Sequence, residues 1–204
     1  MSISIAFDAL SFLIVDDSAY MRTILRAILS SFGTRKIYEA EDGADGLQKL
    51  DSLSPDIVII DWEMPVMGGP EMIKSIRDPD KSRNAFVPII LLTAHTERHR
   101  ILEARQFGVH EILRKPVSPK AIYQRVASII LHPRPFIRTA TYFGPEIRDE
   151  LRQSHTEQKT DTQYIDKRVQ KQEDIDEIVN AKSVESTESK PLEDVDKYQD
   201  SSAA

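Results

Sequence analysis

The chain has 204 residues, 40% of them hydrophobic, which is enough for one domain with a real core plus an extension. It has no cysteine, so disulfides and thiolate metal sites are excluded. The net charge of −6 is local: residues 150–204 hold 8 basic and 14 acidic side chains, whereas residues 1–149 balance at 19 of each, so no basic patch marks a nucleic-acid surface.

Residues 1–10 form an N-terminal lead. They lack a basic n-region and carry Asp8, so they make a poor signal peptide. No apolar run approaches a membrane span, and a cytoplasmic chain without membrane insertion is expected. Ile3, Ile5 and Phe7 alternate as an edge strand would, but a loose terminus is the expectation.

From residue 11 the pattern becomes regular. Phe12-Leu13-Ile14-Val15 is an apolar run that ends on Asp16-Asp17, with Ser18 placed to cap a helix. Met21, Ile24, Leu25, Ile28, Leu29 and Phe32 then recur at helical spacing up to Gly33. A short strand over residues 36–40 turns at Asp42-Gly43 into a helix carrying Ala44, Leu47 and Leu50. Ile57-Val58-Ile59-Ile60 has no polar interruption, as in a central strand buried on both faces, and it stops on Asp61. Met64-Pro65 and Gly68-Gly69 keep the next residues out of strand or immediate helix.

A helix is predicted from Gly69 to about Arg77, then a polar connection, then a strand from Pro88 to Thr93. A helix from about Glu97 to Phe107 stops at Gly108, and Glu111-Ile112-Leu113-Arg114 is a fifth strand broken by Lys115-Pro116. Ser118-Pro119 opens the last helix, with the stripe Ile122, Val126, Ile129 and Ile130. Five strand–helix alternations predict an α/β fold: a doubly wound parallel sheet with right-handed crossovers over residues 11–132. Residues 133–149 are an aromatic, Pro-containing hinge segment, and 150–204 an acidic, largely disordered tail. Within that tail, Tyr164, Ile165, Val169, Ile175, Ile178 and Val179 make a ragged helical stripe.

The chemistry gathers at strand ends. Asp16-Asp17, Asp61 and Thr93 end three strands, and Lys115 follows a fourth; in a parallel sheet these lie along one edge. Three neighbouring carboxylates repel and call for a hard divalent cation with oxygen ligands, for which Mg²⁺ is suited. An aspartate can act as nucleophile and carry an acyl phosphate, with Thr93 and Lys115 bonding the phosphoryl oxygens.

Asp16-Asp17, Asp61-Trp62-Glu63-Met64-Pro65 with Gly69, Thr93-Ala94 and Lys115-Pro116, together with Met21-Arg22, give the chain its resemblance to a bacterial two-component response-regulator receiver domain of the stand-alone CheY-like type. The resemblance implies a flavodoxin-like five-stranded sheet of order 2-1-3-4-5. It implies that Asp61 is the phosphoacceptor for a histidine kinase or phosphotransfer protein. It implies that Asp16, Asp17, Asp61 and the backbone carbonyl of Glu63 hold Mg²⁺, and that the Lys115–Pro116 bond is cis. Output would pass to an unknown downstream protein rather than through an enzymatic or nucleic-acid-binding domain. Receivers usually carry Tyr or Phe three residues before the lysine; Ile112 stands there in this chain, which changes how the site is read out.

Two other readings stay open. One is a phosphate-independent docking module. The other is a Mg²⁺-dependent phosphohydrolase, which would need a second acid two residues on; Glu63 has that spacing without the usual chemistry. His95 and His99 lie four apart but lack a third ligand, and His110 starts a strand. The output surface is expected on the last helix, the fourth helix and the fifth strand, extended by Phe136, Ile137, Tyr142 and Phe143, which either dock as a lid or are released as a hinge.

Overall fold

The computed structural model describes residues 5–94, 98–147 and 163–164. The strands are β1 (Ser11–Val15), β2 (Lys36–Ala40), β3 (Ile57–Asp61), β4 (Ile89–Thr93) and β5 (Glu111–Arg114). The helices are α1 (Ala19–Ser31), α2 (Gly43–Leu53), α3 (Gly69–Ile76), α4 (Arg98–Gln106) and α5 (Pro119–Leu131). The sheet is parallel throughout, in the order β2-β1-β3-β4-β5. This is the flavodoxin-like α/β architecture expected from the sequence.

Local chemistry sets the boundaries. The Ser18 side chain accepts from the Met21 N–H, Asp42 from Ala44 and Asp45, and Ser118 from Ala121, so α1, α2 and α5 each begin on an oxygen cap. Gly33 and Gly108 follow α1 and α4 at φ of 101° and 82°, a conformation that costs glycine nothing. β3 and β4 are buried at every position, and two apolar clusters fill the two faces of the sheet. Phe12, Ile14, Ile57, Ile59, Ile90 and Leu92 face α1 and α5. Leu13, Val15, Val58, Ile60, Ile89 and Leu91 face the opposite way. Side chains alternate faces along a strand, so unbroken aliphatic runs supply both clusters.

One segment departs from expectation. Residues 5–10 are neither loose nor an edge strand. A single 3₁₀ turn at Phe7–Ala9 places Phe7 5.0 Å from the Phe32 ring and 5.6 Å from that of Tyr123, with Ile5 and Leu10 also buried. Ile5 and Phe7 instead fold residues 5–10 over α1 and α5, and Ile3 lies outside the described residues.

After α5 the chain forms a short antiparallel pair, β6 (Phe136–Arg138) and β7 (Phe143–Pro145), with β8 (Gln163–Tyr164) on the other side of β6. Phe136 and Phe143 pack with Phe86 at 4.9 and 5.3 Å. Arg77 lies over the Phe136 ring at 5.3 Å. Its guanidinium donates to the carbonyls of Gly108, Ala85 and Val87 at 2.8, 2.7 and 2.9 Å. His110, just before β5, accepts the Ile89 N–H at Nδ1. Burial, then the charges of Arg77 and Arg134, hold this imidazole well below its usual pKa. Ile89 and Glu111 begin their strands, so the aromatic hairpin caps the end of the sheet away from Asp61. The expected helical stripe between Asp161 and Lys182 lies outside the described residues except at Gln163–Tyr164.

Candidate functional site

The parallel order brings the ends of β1, β3, β4 and the residue after β5 to one edge. Val15 pairs with Ile60 across β1 and β3, so Asp16 and Asp61 are the next residues on adjacent strands. Asp61 pairs with Leu92, and Thr93 with Arg114, which places Thr93 and Lys115 next in line. Asp16, Asp17 and Asp61 each present a carboxylate oxygen within 4.8 Å of the others. Asp16 is fully buried, Asp61 is buried and Asp17 is exposed.

Lys115 bridges two of them. Its Nζ lies 2.9 Å from Asp16 Oδ2 and 2.8 Å from Asp61 Oδ1. Burial raises the Asp61 pKa, the charge of Asp16 adds to that, and Lys115 opposes it. Burial pulls the other way on Lys115, but hydrogen bonds and charge from Asp61 and Asp16 outweigh it and raise its pKa. One ammonium faces three carboxylates, which leaves the cluster short of positive charge. Arg22 does not fill the deficit. Its Nη1 donates to the backbone carbonyls of Asp16 and Asp17 at 2.8 and 3.3 Å, while Nε and Nη2 meet Glu39 and Glu41. It fixes the backbone of the acidic pair and leaves the carboxylates facing the site. The all-oxygen donor set and its excess negative charge fit a hard divalent cation.

The loop after β3 is shaped by close packing. A Cβ on Gly69 would collide with the carbonyl oxygen of Asp61, so only glycine lets the chain turn back over the strand end. The Gly69 N–H donates to Trp62 O at 3.1 Å. Trp62 is buried against Phe107, while the Glu63 side chain is exposed. The Lys115–Pro116 peptide is cis, as the resemblance implies. Ile112 is partly buried and packs against the cluster that contains Trp62.

The structure thus brings Asp16, Asp17, Asp61 and Lys115 into contact range and sets Thr93 one position beyond Leu92 on the same edge. His95 lies outside the described residues, as does the His99 side chain. Sequence reading placed Arg22 and Gly69 in the motif without their jobs. The signal for Arg22 was an arginine one helical turn past Ser18, able to reach back to the acidic pair.

Comparison with known proteins agrees with this geometry. Residues 12–127 match the model of the response regulator receiver domain family. The chain is 33% identical over 119 residues to the chemotaxis protein CheY1 of Helicobacter pylori, covering 58% of this chain and 94% of that protein. It is 32% identical over 117 residues to the chemotaxis protein CheY of Pseudomonas aeruginosa, covering 57% and 93%. The structure of CheY4 from Vibrio cholerae superposes with a TM-score of 0.54 at 30% identity, over 59% of this chain and 99% of that one. A CheX–CheY–BeF3–Mg complex from Borrelia burgdorferi gives 0.54 at 26% identity, over 62% and 95%. Among the described residues no helix is long and apolar enough to cross a membrane. The strand-edge cluster, the sheet order and these matches agree: the chain belongs to the response-regulator receiver family, as a CheY-like receiver domain of two-component signalling.

Proposed function

We propose that the chain is a phosphorylation-dependent switch or phosphate relay in which Asp61 accepts a phosphoryl group from a histidine kinase or phosphotransfer protein. The observation that carries this reading is the Lys115 ammonium set between Asp16 and Asp61, 2.9 and 2.8 Å away, at the open end of a buried strand. A carboxylate oxygen of Asp61 attacks phosphorus as the bond to the donor nitrogen breaks, leaving an acyl phosphate on the side chain. Asp61 is held by β3 and by Lys115, so little reorientation precedes attack.

Asp16, Asp17, Asp61 and the backbone carbonyl of Glu63 would hold Mg²⁺. When bound, the ion neutralises charge on the group being transferred. The Borrelia neighbour, a complex with BeF3 and Mg, supports Mg²⁺ as the ion, and the carboxylate cluster of Asp16, Asp17 and Asp61 supports this place for it. Lys115 and Thr93 bond phosphoryl oxygens after transfer. Output is by protein–protein contact, without an enzymatic step on a further substrate, and Ile112, having no aromatic ring, blunts the aromatic coupling usual at that position. The receiver spans 11–132, and the chain acts in the cytoplasm.

Acetyl phosphate with Mg²⁺ should add one phosphoryl group to the wild-type chain by intact mass, and none to Asp61→Asn or without Mg²⁺. Equal labelling of Asp61→Asn would overturn the assignment. No labelling of the wild type, with partner binding intact, would make the chain a phosphate-independent docking module.

A further inference from the structure

β5 is the edge strand of the sheet, and the described residues leave a groove beside it. A groove of about 600 Å³ runs there from Thr93 at the site end to Arg134 and Ile147 at the hairpin end. Its apolar lining comes from Ile101, Val109, Ile112 and Leu113. Ile112 is smaller than the ring usual at this position, which leaves that stretch open. The charged lining is one-sided: Arg105, Arg114, Arg125 and Arg134 face a single carboxylate, Glu111. Glu111 is already matched, accepting from Arg125 at 3.2 Å and from Ser128 at 2.8 Å. Arg105 and Arg114 form no ion pair among the described residues.

The complement lies in the same chain. Ile147 lines the groove, and the acidic extension begins just after it, at the groove mouth. Within that extension, Glu173-Asp174-Ile175-Asp176-Glu177-Ile178-Val179 has four carboxylates, three aliphatic side chains and no base. Carboxylates suit the arginines, which bind them in bidentate geometry, and the aliphatic residues suit the floor. Reach is not limiting. Gln163–Tyr164 pairs with β6, so eight residues separate the anchored part of the tail from Glu173. At up to ~3.6 Å per residue they span about 30 Å. A tether of this length holds the segment at an effective concentration of about millimolar, so a contact that is weak between separate molecules is populated within one.

We infer that the β5 groove between α4 and α5 is the docking site of the chain's own acidic segment, residues 173–179. A downstream protein that uses this face must displace the segment, and an acidic partner would compete for the same arginines. The contact weakens with salt, because its charges are partly exposed.

The absence of cysteine permits a single spin label on the full-length chain through Ser183→Cys. In isotope-labelled protein, the amide signals of Arg105, Ile112, Leu113, Arg114 and Arg125 should lose intensity with the label oxidised and recover on its reduction, while signals of α2 stay constant. Replacing Glu173, Asp174, Asp176 and Glu177 by Lys in the same labelled chain should abolish that loss. Groove signals equally sharp with oxidised and reduced label would overturn the inference. So would broadening that survives the charge reversal. Equal broadening when spin-labelled chain is mixed with isotope-labelled chain lacking a label would assign the groove to a second copy instead. No phosphodonor is present, so failure here is separate from failure of the Asp61 reading.

Discussion

Lys115 Nζ stands 2.8 Å from Asp61 Oδ1 and only slightly farther, 2.9 Å, from Asp16 Oδ2. The ammonium therefore bonds two carboxylates at once and does not fully compensate the burial of Asp61. Asp61 remains net destabilised in its charged form, with a raised pKa caused first by burial.

That imbalance fixes the sign of a pH effect. A carboxyl whose folded pKa is raised binds its proton more tightly in the folded state, so its charged form costs stability above that pKa. The cost falls as pH drops through the folded pKa and vanishes below the unfolded value of about 3.9. Without Mg²⁺, Asp61→Asn should therefore be more stable than wild type at pH 7 in urea unfolding. The gain should shrink on acidification and be absent below about pH 3.9. A gain constant across this range would mean that ionisation of Asp61 is not its source.

Val66 is 86% exposed and has φ of 66°. A β-branched residue there is a genuine outlier, whereas Asn tolerates the left-handed region. Val66→Asn should stabilise the protein by about 1 kcal/mol, since the left-handed conformation costs roughly 1–2 kcal/mol. Urea midpoints at constant slope measure it.

Gly69→Ala puts a methyl into the carbonyl oxygen of Asp61. The backbone must shift, at a cost of about 1–3 kcal/mol. The only tryptophan follows Asp61 directly, so the emission of Trp62 should change in the folded variant. Unchanged emission and stability would show that the loop has room there.

Arg77 holds three backbone carbonyls from the loops that support the aromatic hairpin. Arg77→Met leaves them without their donor and should cost about 3 kcal/mol or more, given roughly 1–3 kcal/mol for each buried group left unsatisfied. Arg77→Lys should rescue little, because an ammonium cannot reproduce the planar fork. Thermal unfolding of the two variants separates charge from geometry.

The site was legible because its parts are punctuation. Asp16-Asp17, Asp61, Thr93 and Lys115 each interrupt an apolar run, and a parallel sheet collects such interruptions on one edge. The long runs in β3 and β4 are buried on both faces, so their pattern alone identified them. The hairpin was not legible as strands. Phe136–Arg138 and Phe143–Pro145 have three residues each, too few to show alternation, and their rings are placed by Phe86 and Arg77 in distant loops. Ile5 and Phe7 misled for a related reason, since a single 3₁₀ turn can bury residues that look alternating. Arg77 read as an ordinary charged residue at a helix end, and only the tertiary fold turns it toward three carbonyls.

Reductive trapping tests the central claim most directly. Borohydride reduces an acyl phosphate to an alcohol and releases phosphate, so a phosphorylated aspartate becomes homoserine at that position. The full-length chain, phosphorylated by acetyl phosphate with Mg²⁺, reduced and sequenced by tandem mass spectrometry, should carry homoserine at position 61 and unmodified aspartate at 16 and 17. Homoserine at position 16 or 17, with aspartate retained at 61, would contradict the account.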